Sequence, residues 1–282
     1  GMLSFAWWNT SVTLYNGKKG SADFQTAYSV ILKLATEYDC VGLGEFDDDA
    51  LYEQIAVSLP KNRQIVQLPE DDAQNVRFNS AVIYNTDVLT DDFASGQFIT
   101  NLFDSDRSVC DGQYRIAQRI RFRLSVLNGL IDVYLVHWRQ HDGKFELAHK
   151  RKAASQIHQD VFGSRGERLK SAAAVVLGDF NAEPYESVLE QLRVSRSKSF
   201  ADKKGGFFNP FWRKLHDEYA TFNGDNTEEL RVLQCFFDYI MISSSFVRLP
   251  GFSCEERILD DALYCPAASE HRPVSLRITW KI

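Results

Sequence analysis

The stretch Ala174-Val-Val-Leu-Gly-Asp-Phe-Asn181 constrains the fold more than any other part of the chain. Residues 172–177 are a short apolar run of the length and type of a buried strand. The run stops at Gly178 and delivers Asp179 and Asn181 just past the strand end. Glu183-Pro184 follows, and proline suits the first turn of a helix, so a helix is expected over 184–192. A carboxylate and an amide at the mouth of one strand can point into one crevice. In open α/β sheets, ligands bind in the crevice at the carboxyl ends of the strands.

Other segments supply partners for this edge. Residues 3–9 read as a strand ending in Asn9. Ser21 is placed to cap a helix in which Phe24, Ala27, Ile31, Leu34, Ala35 and Tyr38 recur at helical spacing. A short strand over 40–44 ends in Glu45, and Asp47-Asp48-Asp49 suits the start of the next helix. Strands are expected at 63–68 and 79–84. Arg119, Arg121 and Arg123 then alternate with Ile120, Phe122 and Leu124, and Asn128-Gly129 is a hairpin signal before a return strand that ends at His137. A basic helix is expected over 144–162. Beyond Asn181 the pattern predicts a basic polar loop over 194–206, a helix at 210–215 and strands at 235–243 (around Asp238), 247–252 and 274–280.

Strand after strand thus ends in a residue able to do chemistry: Asn9, Glu45, His137, and Asp179 with Asn181, while Glu270-His271 stands just before the last strand. Random placement would scatter such residues over both ends. Strands mixed with helices, several in hairpins, predict two packed sheets with helices outside.

No linker, repeat or low-complexity block divides the 282 residues, so a single domain spanning 1–282 is expected. The net charge of -6 argues against indiscriminate nucleic-acid binding. It leaves phosphate substrates open, because a metal ion reverses the local sign at an acidic site. Five scattered cysteines without CxxC spacing favour reduced thiols over disulfides or a zinc site. No run reaches transmembrane length, and residues 1–9 lack the basic region and long apolar core of a secretory signal. A cytoplasmic monomer is the expectation.

In their order, Trp8-Asn9, Leu43-Gly-Glu45, Phe78-Asn-Ser-Ala-Val-Ile-Tyr84, Val136-His137-Trp138, Gly178-Asp-Phe-Asn181, Phe237-Asp-Tyr-Ile240 and Ser269-Glu-His271 resemble the motifs of the endonuclease/exonuclease/phosphatase (DNase I-like) superfamily. Each is weak alone; Gly-Asp-Phe-Asn and the terminal Ser-acid-His are the most specific. The resemblance covers the chain from end to end. It implies a four-layer α/β sandwich, two packed mixed β-sheets flanked by helices, and Mg²⁺- or Mn²⁺-dependent cleavage of a phosphoester.

The residue types suit that reaction, which needs an oxygen-coordinated hard metal, an aligned water and donors for the leaving oxygen. Glu45 is the expected first metal ligand, with Asn9 beside it. Asp179 would orient or deprotonate the water. Asn181 would donate to a phosphate oxygen, and His137 and His271 would meet the developing charge. Glu270 would either orient a histidine or join the metal ligands, and Asp238 would support the site. Arg119 and Arg121 share one strand face and either bind substrate phosphate or form a solvated outer face.

Two departures from the family pattern stand out: Gly44 where Gln is usual, and Glu270 where Asp is usual. The first should act behind the metal rather than on it. The second lengthens the acid by a methylene. Singly, each residue has a plainer reading: Glu45 as a helix-capping acid, Gly-Asp-Phe-Asn as a turn, His271 as a loop residue, Trp7, Trp8 and Trp138 as core aromatics. His141 and His149 read as incidental surface residues, and the basic run 149–152 either touches a polyanion or is an exposed helix face. The functional expectation is a phosphodiesterase acting on nucleic acid or a nucleotide-like substrate. A phosphomonoesterase on a small molecule or lipid head group, and a catalytically silent phosphate-binding protein, are the alternatives.

Overall fold

The computed structural model describes residues 1–12, 24–68, 79–91, 99–104, 114–127, 129–138, 144–163, 173–216, 221–226, 231–259 and 269–282. Ser21, Phe78, Asn128 and His141, named above from the sequence, and two of the five cysteines, Cys110 and Cys265, lie outside the described residues.

Strand β1 (Met2–Asn9) explains the layering, because it is buried on both faces. Alternation sends Leu3, Phe5 and Trp7 one way and Ala6 and Trp8 the other, into two separate apolar clusters. The second cluster is closed by helices α1 (Phe24–Glu37) and α2 (Asp49–Ser58), which bury Ala27, Ile31, Leu34, Leu51 and Ile55 against it. Asp48 caps α2 by accepting from the Leu51 amide at 2.7 Å.

β1 lies inside a six-stranded sheet with β2 (Cys40–Gly44), β3 (Arg63–Gln67), β4 (Ala81–Asn85), β14 (Ser253–Ile258) and β15 (Val274–Thr279), in the order β14-β15-β1-β2-β4-β3. The facing sheet holds β5 (Leu89–Asp91), β6 (Ile99–Asp104), β7 (Tyr114–Leu124), β8 (Gly129–His137), β9 (Ala173–Asp179), β10 (Phe207–Phe208) and β13 (Asp238–Ser243). Its order is β10-β13-β9-β8-β7-β5, with β6 also on β7. A small ribbon, β11 (Phe222–Asn226) with β12 (Arg231–Cys235), stands apart. Helix α3 (Lys144–Phe162) covers the second sheet, where Asp160 accepts from Arg119 and Tyr134. The expected architecture of two mixed sheets flanked by helices is the observed one. Among the described residues no helix is long and apolar enough to cross a membrane.

Several local expectations are corrected. Residues 184–192 do not form an α-helix. The Glu183 amide donates to the Glu186 side chain at 2.8 Å, which holds Pro184 in a turn, and only a 3₁₀ helix follows over Ser187–Leu192. The expected loop at 194–206 contains helix α4 (Lys198–Lys204), with Lys203 and Lys204 in its last turn and left-handed Gly205 at its end. The expected strand at 247–252 is instead the end of α5 (Ser244–Val247) and a turn at Pro250-Gly251; the strand comes next, as β14. Strands β5, β6, β10, β11 and β12 were not anticipated; they are short or irregular.

The run 149–152 is not a wholly exposed face. His149 is buried, and Lys150 is only 1% exposed. The spacing Leu147, Lys150, Ala154, Ile157, Val161 places Lys150 on the inward stripe of α3.

Candidate active site

Strand direction brings the polar residues to one edge. β1 and β2 run parallel with Asn9 opposite Gly44, so Asn9 and Glu45 leave the sheet together. β15 runs antiparallel to β1, and the chain entering it carries His271 past the same end. In the other sheet β8 and β9 run parallel, with His137 opposite Asp179, and antiparallel β13 starts with Asp238 opposite Asp179. Two sheets therefore present Asn9, Glu45 and His271 against His137, Asp179 and Asp238.

The Asn9 side-chain nitrogen sits among them. It lies 3.0 Å from Glu45 Oε1, 3.3 Å from Asp179 Oδ2 and 3.4 Å from His271 Nε2. Nε2 of His137 is 3.6 Å from Glu45 Oε1 and 3.7 Å from Asp179 Oδ2. Nδ1 of His271 meets Asp238 Oδ2 at 2.8 Å, while its Nε2 lies 3.9 Å from Asp179 Oδ2. The carboxylate that orients this histidine is thus Asp238, which corrects half of the expectation for Glu270. Asp238 also accepts from the indole of Trp7 at 2.9 Å. Ser269 ties the entering chain down: its hydroxyl donates to the Asn9 carbonyl at 2.7 Å and accepts from the His271 amide at 3.0 Å.

Backbone strain collects here. Glu45 and Asn181 have φ of 49° and 45°, the left-handed region that non-glycine residues seldom enter, at a cost of roughly 1–3 kcal/mol each. At Asn181 the strained turn is held three ways. Its amide donates to Asp179 Oδ1 at 2.9 Å, its side chain donates to the Trp138 carbonyl at 2.6 Å, and its carbonyl accepts from the Lys150 ammonium at 2.6 Å. The residue ahead of Asp179 must be glycine, because a Cβ at Gly178 would stand 2.0 Å from the Val136 carbonyl oxygen.

Burial and mutual charge divide the titratable groups. Burial, then the charges of His271 and Arg115, push His137 down to about 3, so it is neutral at pH 7. Burial works against the charged form of His271 as well. The charge and hydrogen bond of Asp238, with Asp179 and Glu45, prevail and raise it to about 9. Burial and the neighbouring Asp238 raise Asp179, and burial raises Glu45 against the opposing Asn9 hydrogen bond.

Oxygen donors clustered this closely fit a hard divalent cation. Asp179, Asp238 and His271 each offer a ligand atom, all within 4.8 Å of one another. Part of that closeness is the Asp238–His271 hydrogen bond, and Glu45 stands outside the group, 3.0 Å from the Asn9 amide nitrogen. Asn9 turns its amide nitrogen to the carboxylates, while its oxygen accepts from the Ser11 amide at 3.3 Å. Here it bridges the acids as a donor. Glu270 is exposed at the rim, where its charge acts on Glu45.

Arg119 and Arg121 are not brought into this cluster. Arg121 grips Asp132 through two contacts at 2.7 and 2.8 Å, and Arg119 pairs with Asp160 at 3.1 Å and Thr100 at 3.1 Å. Both fasten β7 to β8, β6 and α3. Arg115, nearer the start of the same strand, is the arginine whose charge reaches His137. The sequence reading passed over Trp7 and Lys150 as site residues. Trp7 is two residues before Asn9 in a strand, hence on the same face, and Lys150 lies on the apolar stripe of α3; both patterns were readable.

No model of a known protein family matches the chain, and no curated protein sequence matches it. Solved structures do. An endonuclease/exonuclease/phosphatase family protein from Bacteroides thetaiotaomicron is 15% identical with a TM-score of 0.66, over 100% of this chain and 96% of that one. A mannosyl-6-phosphatase from the same organism is 17% identical with a TM-score of 0.65, over 99% and 100%. The human Nocturnin catalytic domain, with a bound sulfate anion, is 15% identical with a TM-score of 0.64, over 99% and 95%.

This chain has the endonuclease/exonuclease/phosphatase fold.

At such identities the likeness concerns the fold. The endonuclease/exonuclease/phosphatase fold supplies the sandwich and its edge; the site on that edge is argued from this chain's own side chains.

Proposed function

We propose that the chain is a Mg²⁺- or Mn²⁺-dependent phosphoesterase, hydrolysing a phosphodiester of nucleic acid or a nucleotide-like molecule by in-line attack of water. The observation that carries the proposal is the Asn9 amide nitrogen, within 3.4 Å of Glu45, Asp179 and His271 together, although these residues are remote in sequence. Glu45 would hold the ion, with Asn9 alongside and Glu270 at the rim. The bound ion supplies charge neutralisation on the phosphoryl oxygens.

The remaining work falls to the chain. Asp179, its pKa raised, is a base matched to neutral pH and takes the proton of the attacking water. His271 is protonated at pH 7, and its Nε2–H faces the site as a charged donor to developing negative charge. Neutral His137 gives a second donor on the opposite sheet. Asn181, which holds the Trp138 carbonyl with one side-chain N–H, would offer the other to a phosphate oxygen, and its turn keeps Asp179 aimed.

A monoester reading is favoured by one finding, the likeness to a mannosyl-6-phosphatase. The test is turnover by the purified protein with Mg²⁺ or Mn²⁺ of bis-(p-nitrophenyl) phosphate, plasmid and abasic DNA, inositol phosphates and mannose 6-phosphate. Diester turnover that vanishes with EDTA and in Asp179→Asn supports the proposal. Turnover of monoesters alone replaces it with the phosphatase, and binding without turnover overturns both in favour of a silent phosphate-binding protein.

A further inference from the structure

We propose that Trp7 is a positioning residue of this site. Its indole N–H fixes the carboxylate that orients His271, and position 44 is glycine because the same ring fills the space a side chain there would take. The kinetic part of this proposal rests on the phosphoesterase reading; the geometric part does not.

Trp7 is fully buried, and a buried indole N–H requires an acceptor. It finds Asp238 Oδ1 at 2.9 Å, across the interface between the two sheets. The other oxygen of Asp238 holds His271 Nδ1 at 2.8 Å. The Asp238 amide is fixed as well, by donation to Thr221 Oγ1 at 2.9 Å. With both oxygens engaged, the carboxylate cannot rotate, and the imidazole keeps Nε2 toward Asp179.

The far edge of the indole faces β2. A Cβ at Gly44 would stand 2.6 Å from Cη2 and 2.7 Å from Cζ2 of Trp7, closer than such atoms approach. One ring thus spans from the acid behind His271 to the residue just before Glu45. Trp7 and Gly44 are matched in size, and the residue that departs from the family pattern at 44 is the one that admits the indole.

Trp7→Phe keeps an aromatic ring, deletes the N–H and withdraws the atoms nearest position 44. In it kcat should fall roughly 10- to 100-fold with KM within about twofold, as for other residues that orient a site from behind. By proton NMR, the exchange-protected Nδ1–H signal of His271, identified by its loss in His271→Gln, should disappear or broaden. Gly44→Ala should lower the melting temperature clearly in the wild-type background and much less in Trp7→Phe. The double variant refills the vacated space and serves for all readouts if Trp7→Phe alone folds poorly. Wild-type kcat with an intact His271 signal in Trp7→Phe overturns the positioning role. An equal Gly44→Ala penalty in both backgrounds overturns the steric match. Loss of the signal from a protein whose wild type turns over no phosphoester sinks the function while leaving the positioning role standing.

Discussion

Oδ2 of Asp238 lies 2.8 Å from Nδ1 of His271, a contact that joins the first residue of β13 in one sheet to the chain entering β15 in the other. An imidazole held in this way has one tautomer and one direction, and the carboxylate stabilises its charged form. Asp238→Asn preserves the shape and removes the charge. Turnover should fall on the order of 100-fold or more, the scale of losing an aimed donor, with little change in KM. Steady-state kinetics with the best diester substrate checks this.

Glu45 is drawn to the same point from the end of β2, with left-handed backbone and a pKa raised by burial. Such a carboxylate gains most from a cation. Glu45→Gln should therefore raise the Mg²⁺ or Mn²⁺ concentration needed for half-maximal activity at least tenfold, on the scale of the 10- to 100-fold losses seen when residues supporting a metal site are removed. Titration of the metal by calorimetry measures the same loss without any substrate. Unchanged metal affinity in this variant would move the ion to the Asp179, Asp238 and His271 group.

The strand-end pattern made the edge legible because period-two alternation and strand direction are local properties. Asn9, His137, Asp179 and His271 could be assigned to one crevice before any pairing was known. What the sequence hid was pairing across the interior. Asp238 opens a strand among apolar neighbours, and nothing local distinguishes it from a residue that satisfies buried backbone. Glu270 stood next to His271 in the chain and drew the orienting role by adjacency. The actual partner comes from 33 residues away. Lys150 was concealed by its charged neighbours Arg151 and Lys152, and short strands such as β5 and β10 carry too few residues to show a period.

Arg121 separates two readings of the arginine stripe. Its guanidinium is committed to Asp132, a buried acid whose partner would be lost in Arg121→Met. Breaking a buried pair by removing one member costs about 3–5 kcal/mol, and the partial exposure of Arg121 places this one at or below the lower end. Chemical denaturation should show that loss, with kcat/KM of the surviving folded protein within about twofold of wild type. A selective rise in KM at unchanged stability would return Arg121 to the substrate.

The stability of the metal-free protein should depend on pH, with the sign above neutrality set by His271. His271 is raised from 6.5 to about 9, so the folded state binds its proton more tightly than the unfolded chain does. Its contribution is complete below about pH 6.5 and is lost as pH climbs through about 9. His137 is depressed from 6.5 to about 3, so the folded state keeps it neutral where the unfolded chain would charge it. Its contribution is complete above about pH 6.5 and is lost as pH falls toward about 3. Denaturant midpoints measured in EDTA should therefore decline as pH rises above neutrality; below it the loss contributed by His137 is opposed by Asp179 and Glu45, whose raised pKa values favour the folded state as they take up protons. His271→Gln should flatten the alkaline side between about pH 6.5 and 9, while His137→Gln should leave that side sloping and remove only the acid-side loss that His137 contributes. If His271→Gln leaves the alkaline slope intact, the Asp238–His271 pair does not hold its extra proton in the folded protein, and the charged donor assigned to His271 is lost with it.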